Sequence, residues 1–311
     1  MNKLNILPPS PEKPSPGKAV GAGRFPSWLH RKLPQGGEIF RTNKILAKHG
    51  LSTVCEEAKC PNRLECYSKR TATFLALGKS CTRNCGFCDI DFSKTPRAPQ
   101  ADEPNRIALS VKDLGLKHVV ITMVARDDLP DQGASHIAAI VRAVRQENPD
   151  TTVELLTSDF SGHPWLLDII LKEKPEIFNH NIETVRSLTG RIRHKAQYDR
   201  SLSVLRIAKQ SGQALYVKSG MMLGFGEQEE EVKETIRDLF DAGCDVITLG
   251  QYLQASQRKL RVKEFVTPEQ FKAFEEYGLS LGVRHMYSGP FVRSSYNANL
   301  FVPGKQAIVS T

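Results

Sequence analysis

The amino-acid sequence predicts an α/β fold, a partial (β/α)6-type barrel with extensions at both termini. Two observations carry this prediction. Short β-rich runs alternate with amphipathic helical stretches along most of the chain, and polar or glycine-rich signals fall at the C-terminal ends of the strands. Such alternation implies right-handed βαβ crossovers and a parallel sheet, which can close fully or partly, or stay open as a doubly wound sheet. Strand ends that all carry polar residues favour the barrel, where those ends converge on one active face.

Residues 1–36 are rich in Pro, Gly and Lys without periodicity, which predicts a flexible or wrapping arm. Residues 37–70 form a cysteine-bearing extension with a short helix through EIFRTNKILAKHG. The barrel is expected over 71–284. Its strand candidates are TATFLALG, HVVITMV, TVELLT, IFNHNIE, ALYVKSGMMLG and DVITLG. Between them GASHIAAIVRAVRQEN, PWLLDIILKEK, YDRSLSVLRIAKQSG, EQEEEVKETIRDLFDAG and TPEQFKAFEEYGLSLG read as helices. A C-terminal extension, 285–311, follows. The polar signals are Arg126, Asp127 and Asp128 after the second strand, Asn179 to Glu183 at the fourth, Gly224 to Glu227 after the fifth and Gln251 after the sixth.

A chain of 311 residues, 40% hydrophobic and 25% charged, can bury a sizeable core. No apolar run approaches the roughly 18 residues that a membrane helix requires, so no membrane partner is expected. The N-terminus has prolines and lysines where an export signal would be apolar, which predicts a cytoplasmic protein. The net charge of +9 suits an acidic partner. The basic stretches RIRHK (191–195) and QRKLRVK (257–263) carry few aromatics, so nucleic acid is not expected, and a solvated face explains them equally well.

Six of the seven cysteines lie between Cys55 and Cys88. In a reducing compartment such clustering points to metal ligation rather than disulfides. Cys81, Cys85 and Cys88 follow the first strand with C-x3-C-x2-C spacing. Three cysteines can each bind one iron of a [4Fe-4S] cluster and leave the fourth iron open. A zinc site with a remote fourth ligand and a redox thiol set are the alternatives, but zinc motifs come as paired C-x2-C halves. Cys55, Cys60 and Cys66, spaced C-x4-C-x5-C, are explained most economically by a second cluster. Cys244, at a helix-to-strand junction, suits a small buried apolar role.

C-x3-C-x2-C with Phe87 before its last cysteine resembles the signature of the radical S-adenosylmethionine (SAM) superfamily. From FPSWLHRKLPQGG to GPFVRSSY, with both triplets and the RSSY motif, the chain resembles the lipoyl synthase family. The resemblance implies a TIM-like partial barrel of the radical SAM kind, two [4Fe-4S] clusters, and SAM chelating the open iron. It implies that the cluster on Cys81, Cys85 and Cys88 is catalytic, and that a serine of Arg293-Ser294-Ser295-Tyr296 binds the remaining iron of the auxiliary cluster. Ser295 is the choice, with Ser294 the alternative. By the same resemblance, Thr122 and Gly133 in TMVARDDLPDQGA, Asn179, Asn181 and Glu183 in FNHNIETV, Lys218 and Ser219 in KSGMMLGFGE, and Arg191 line the SAM or substrate pocket. The family usually has two glycines where this chain has Gln132 and Gly133.

The implied activity is a radical SAM sulfurtransferase that inserts two sulfur atoms at C6 and C8 of a protein-bound octanoyl group. Unactivated methylene carbons offer no acidic proton and no leaving group, so a radical from reductive SAM cleavage is required, with the auxiliary cluster as a consumed sulfur donor. The implied partners are octanoylated lipoyl carrier domains (2-oxoacid dehydrogenase E2 subunits, glycine cleavage H protein), an electron donor such as flavodoxin or ferredoxin, and an iron-sulfur carrier for repair. A tRNA methylthiotransferase would need an RNA-binding module that the sequence does not offer. An iron-sulfur electron carrier or sensor would not need a barrel-sized scaffold.

Overall fold

The computed structural model describes residues 25–32, 34 and 36–296. Most of the expected N-terminal arm, and the chain after 296, lie outside the described residues.

The cysteine-bearing extension consists of α1 (Glu38–Lys48), α2 (Val54–Glu57) and α3 (Arg63–Ser68). α1 buries Thr42 and Leu46. The Thr42 hydroxyl donates to the Tyr67 carbonyl at 2.9 Å, and the Tyr67 hydroxyl meets Thr53 Oγ1 at 2.7 Å. Leu75 N–H then donates to the Ser52 carbonyl at 3.0 Å, so the extension is attached to the first barrel strand by backbone as well as by packing.

That strand, β1 (Thr73–Ala76), leads into a loop flanked by a two-stranded ribbon, β2 (Ser80–Cys81) and β3 (Asp91–Phe92). The chain continues through α4 (Glu103–Leu114), β4 (His118–Met123), α5 (Ala134–Glu147), β5 (Thr152–Leu156), α6 (Pro164–Leu171), β6 (Ile177–Asn179), α7 (Arg186–Ile192) and α8 (Tyr198–Ser211). It closes with β7 (Tyr216–Leu223), α9 (Glu229–Asp241), β8 (Val246–Gln251), α10 (Pro268–Leu281) and β9 (His285–Gly289). The main sheet has seven strands in the order β1-β4-β5-β6-β7-β8-β9, and every pairing in it is parallel. β1 and β9 are its two edges, so this is a partial barrel with all C-terminal strand ends on one face.

The helices cover the outside of the sheet for the reason the sequence periodicity gives. α5 buries Ile137, Ile140, Val141 and Val144 against the sheet, each contributing roughly 1.5–3 kcal/mol of burial energy. Covered on one face by helices and on the other by the barrel interior, β4 is buried at every position and reads as an apolar run. α10 begins with Pro268 at its first turn and a capping box between Thr267 and Gln270. Among the described residues no helix is long and apolar enough to cross a membrane.

All six expected strands are present, and β9 adds a seventh from the start of the segment expected as a C-terminal extension. HMYSG buries only Met286, as an edge strand can, and so lacks the apolar run that marks the others. α4 was also not expected, although Ile107, Val111 and Leu114 have the spacing of its buried face.

Candidate functional site

The loop after β1 carries Cys81, Cys85 and Cys88 and is held from three sides. Thr82 N–H donates to the Ala125 carbonyl at 3.0 Å, beyond the end of β4. Asn84 N–H donates to His194 Nδ1 at 2.9 Å. Gly86 N–H donates to the Ile192 carbonyl at 2.8 Å, while the Gly86 carbonyl accepts from Leu260 N–H at 3.0 Å. Phe87 packs beside the stacked rings of Phe225 and Tyr252, whose centroids are 4.3 Å apart. Arg83, between the first two cysteines, is buried and reaches both Asp127 and Asp159 at 2.7 Å. Burial alone would push the Asp159 carboxyl up, but the Arg83 guanidinium overrides it and holds it down at about 2.

The second triplet lies on α2, α3 and the turn between them. Two ion pairs tie it to the first: Lys59 to Asp89 at 2.6 Å, and Lys79 to Glu57 at 2.8 Å. The strand end of β9 continues as a strap, residues 290–296, that spans the extension and the barrel mouth. Asn62 Nδ2 donates to the Phe291 carbonyl at 2.7 Å, and Tyr296 OH donates to Glu65 Oε1 at 2.8 Å. The Arg31 guanidinium lies 3.5 Å above the Phe291 ring and pairs with Glu65 at 2.8 Å. At the barrel, a side chain on Gly250 would collide with the Val292 carbonyl, so only glycine at that point of β8 admits the strap. Asn181 Nδ2 donates to Ser294 Oγ at 3.1 Å. Ser294 is thus engaged with the barrel wall, next to Ser295 on the strap.

The expected pocket residues divide by where they point. Asn181 Nδ2 also donates to Glu183 Oε1 at 3.1 Å. Glu183 is held with φ 66° by bonds on both sides: its N–H to the Gly220 carbonyl and its carbonyl to Met222 N–H, each at 3.0 Å. Burial pushes its carboxyl up, against the pull of Arg193 and Arg293. Asn179 donates to Glu154 Oε1 at 2.7 Å inside the barrel. Lys218 is fully buried there, 3.1 Å from the same oxygen, so it is an ion-pair partner of Glu154. Thr122 Oγ1 donates to the Leu156 carbonyl at 3.1 Å in the barrel wall. Ser219 is also fully buried, with its hydroxyl accepting from Ile182 N–H at 3.1 Å.

Gly133 caps α5 with φ 86°, where a side chain would come within 2.5 Å of Leu77. Gln132 beside it takes φ 48°, a left-handed conformation that the family's glycine adopts more easily. Arg191 is exposed and donates to the Phe225 carbonyl at 3.1 Å. Its neighbour Arg193 is the buried one, donating to Ser201 Oγ at 2.9 Å and to the Asn181 carbonyl at 3.2 Å. Sequence reasoning missed Arg193 and Lys59, and named Arg293 only as part of its motif. Nothing local distinguishes Arg193 or Lys59 from solvated cations, and only their long-range partners do. Cys244 is buried in the core, as expected.

The donor set fits the implied groups. All seven cysteines are free thiols. Burial pushes Cys55 up to about 11 and Cys66 and Cys88 up to about 12, and within each triplet neighbouring sulfurs raise one another further. Bound iron would supply the positive charge that makes these thiols thiolates. Among the described residues no three His, Cys, Asp or Glu side chains close on a single-ion position. In a [4Fe-4S] cluster every thiolate addresses a different iron, the arrangement that the resemblance implies for each triplet. In the neighbouring pocket Asn179 Oδ1 and Asn181 Oδ1 are buried acceptors without a partner, as a ligand carrying N–H or O–H donors would require.

Comparisons with known proteins identify the family and the fold. The family model described as the radical SAM superfamily matches residues 75–239. The chain is 59% identical to the lipoyl synthase of Protochlamydia amoebophila (strain UWE25) over 314 residues, 99% of this chain and 97% of that protein. It is 50% identical to the lipoyl synthase of Chlamydia felis (strain Fe/C-56), over 97% of this chain and 96% of that one. Among solved structures it is similar in fold to methylornithine synthase (PylB), with a TM-score of 0.51 and 14% identity over 86% of this chain and 90% of that one. Streptococcus suis SuiB bound to its precursor peptide SuiA gives a TM-score of 0.54 at 13% identity, over 80% of this chain and 52% of that one.

Proposed function

The chain belongs to the lipoyl synthase family, within the radical SAM superfamily, and we propose from that premise which of its residues carry the insertion of two sulfur atoms at C6 and C8 of a protein-bound octanoyl group. When bound, SAM and the two [4Fe-4S] clusters supply the hydrogen-abstracting radical and the sulfur that the reaction requires.

In this reading Cys81, Cys85 and Cys88 hold the catalytic cluster, and Cys55, Cys60, Cys66 and Ser295 hold the auxiliary one. Asn181 and Glu183 orient SAM at the mouth of the barrel, with Gly133 admitting it closely and Asn179 and Thr122 lining the wall. Lys218 acts below them by keeping Glu154 ionised: burial favours the neutral acid, and the lysine charge holds the carboxyl low. Ser219 supports the turn that presents Asn181, and Arg191 stands at the rim. The strap spans the extension and the barrel mouth, bonded to Asn62 on one side and Asn181 on the other.

One observation supports this assignment above the others. Lys59 pairs with Asp89 at 2.6 Å and Lys79 with Glu57 at 2.8 Å, so the segments that carry the two triplets are held side by side. In this reading the two triplets face one volume, the condition for a radical made at one to be quenched at the other. The carrier domain brings its octanoyl-lysine to that volume. The 2-oxoacid dehydrogenase E2 domains and glycine cleavage H protein are the proposed carriers, a flavodoxin or ferredoxin the electron donor, and an iron-sulfur carrier the means of more than one turnover.

The test is mass spectrometry of an octanoylated carrier domain after anaerobic incubation with the reconstituted protein, SAM and reductant. Wild type should add two sulfurs, and Cys55→Ala should cleave SAM without adding any. Sulfur gain by Cys55→Ala equal to wild type would sink the assignment of the donor site.

A further inference from the structure

The two basic stretches, 191–195 and 257–263, are about as far apart in sequence as two barrel units, yet both terminate on one residue. Gly86 N–H binds the Ile192 carbonyl at 2.8 Å and the Gly86 carbonyl binds Leu260 N–H at 3.0 Å. Gly86 sits between Cys85 and Cys88. Tyr252 OH donates to the Leu260 carbonyl at 2.8 Å and Ser256 Oγ donates to Asp89 Oδ1 at 2.6 Å, which fixes the second stretch more firmly. The backbones of both stretches are thus the outer wall of the cysteine loop.

In the first stretch Arg191, Arg193 and His194 bond the Phe225 carbonyl, Ser201 with the Asn181 carbonyl, and Asn84 N–H, whereas among the described residues no hydrogen bond engages the side chains of Arg258, Arg261 or Lys263 in the second. Arg258, Arg261 and Lys263 are exposed on one side of the loop, and Arg191, His194 and Lys195 on the other. Among the described residues no ion pair engages Arg258, Lys259, Arg261 or Lys263. The acids nearby are committed or few: Asp89 to Lys59 at 2.6 Å, Asp127 to Arg83 at 2.7 Å and only weakly to Lys195 at 3.9 Å, with Glu264 exposed beside Lys263. A single charge run is ordinarily a solvated face. Two runs brought together on the loop that holds a redox centre make a positive surface in one functional place.

We propose that this paired basic surface is the docking site for an acidic one-electron carrier protein, which reduces the centre held by Cys81, Cys85 and Cys88. The proposal rests on the reading of those cysteines as cluster ligands. Each docking event passes one electron: the carrier is oxidised by one, the centre is reduced by one, and no bond is made or broken in the transfer. Electron transfer weakens steeply with distance, so the donor must sit against the loop that holds the centre. An octanoyl chain on a lysine is a long flexible arm, so a substrate carrier has no need to sit against that loop. Geometry therefore assigns this surface to the electron carrier rather than to the substrate carrier.

The test uses the cluster-loaded enzyme and a flavodoxin as probe. Arg258→Glu, Arg261→Glu and Lys263→Glu are combined and compared with a control of equal charge change, Lys117→Glu, Lys172→Glu and Lys272→Glu, on distant surfaces. The first set should weaken binding of oxidised flavodoxin by about 10-fold or more at low salt, the control by less than about 2-fold, and the gap should narrow as salt rises. Flavodoxin-driven SAM cleavage should fall in parallel, while cleavage driven by dithionite should be unchanged. Equal loss in both sets, no loss in either, or weakened binding of an octanoylated carrier domain with flavodoxin affinity kept, would each overturn the proposal. Failure of the wild type to cleave SAM with dithionite would bring down the reading of the cysteines themselves.

Discussion

Lys59 Nζ stands 2.6 Å from Asp89 Oδ2, so the residue before Cys60 is tied to the residue after Cys88. Lys59 is 57% exposed and Asp89 only 11%, and Asp89 also accepts from Ser256 Oγ. The pair contributes little to stability as an exposed ion pair, about 0–1 kcal/mol. Its consequence is geometric, because it sets the distance between the segments that carry the two cysteine triplets.

Asp89→Asn should therefore leave SAM cleavage nearly intact and lower the sulfur inserted per SAM cleaved by roughly 2- to 5-fold, since reactive groups held less accurately lose rate without losing binding. The check is the ratio of 5'-deoxyadenosine to lipoyl product. An unchanged ratio would show that the tether does not set the spacing.

Asn181 and Ser294 form the strap's contact with the barrel wall. Ser294→Ala removes one hydrogen bond of about 1 kcal/mol, which corresponds to roughly a 5-fold loss of correctly closed strap. Ser295→Ala should instead remove a metal ligand. Iron counting and Mössbauer spectroscopy of the auxiliary site should distinguish them, with the signature changed in Ser295→Ala and kept in Ser294→Ala. The reverse result would make Ser294 the ligand.

Burial, with the Arg193 charge beside it, holds the His180 imidazole down at about 4 from an ordinary 6.5. The folded protein keeps it neutral where the unfolded chain protonates it, so its contribution to stability is complete above about pH 6.5 and is lost as pH falls toward 4. Over that window the loss is on the order of 3 kcal/mol. Thermal unfolding of wild type between pH 7.5 and 5 should show a larger fall in midpoint than the same measurement on His180→Gln. Parallel curves would count against it.

Inside the barrel, Lys218 and Glu154 are both fully buried and 3.1 Å apart. Lys218→Met alone strands a buried carboxylate and should cost about 3–5 kcal/mol, whereas Lys218→Met with Glu154→Gln should recover much of that. Chemical denaturation of the three proteins measures it. Equal losses in the single and double variants would mean that the pair is not the coupled unit described.

Strands β1 and β4 to β8 were legible because each is a short apolar run bounded by turn signals, and the helices because their buried faces repeat at helical spacing. β9 was not, since an edge strand need bury only one of its residues. The cysteine triplets were legible from spacing alone. Arg193 was not: its neighbour Arg191 in the same basic stretch is exposed, and what separates them is that Arg193 reaches Asn181 and Ser201.

Local order in the chain was enough to specify the parallel α/β architecture and the two sets of thiols, because periodicity and ligand spacing are properties of a few neighbouring residues. Folding alone decided that the segments carrying the triplets are tied by Lys59–Asp89 and Lys79–Glu57, that the strap bonds Asn62 and Asn181, and that two distant basic stretches meet at Gly86. Those relationships depend on hydrogen bonds and ion pairs between residues up to 231 positions apart, which only the closure of the sheet brings within reach.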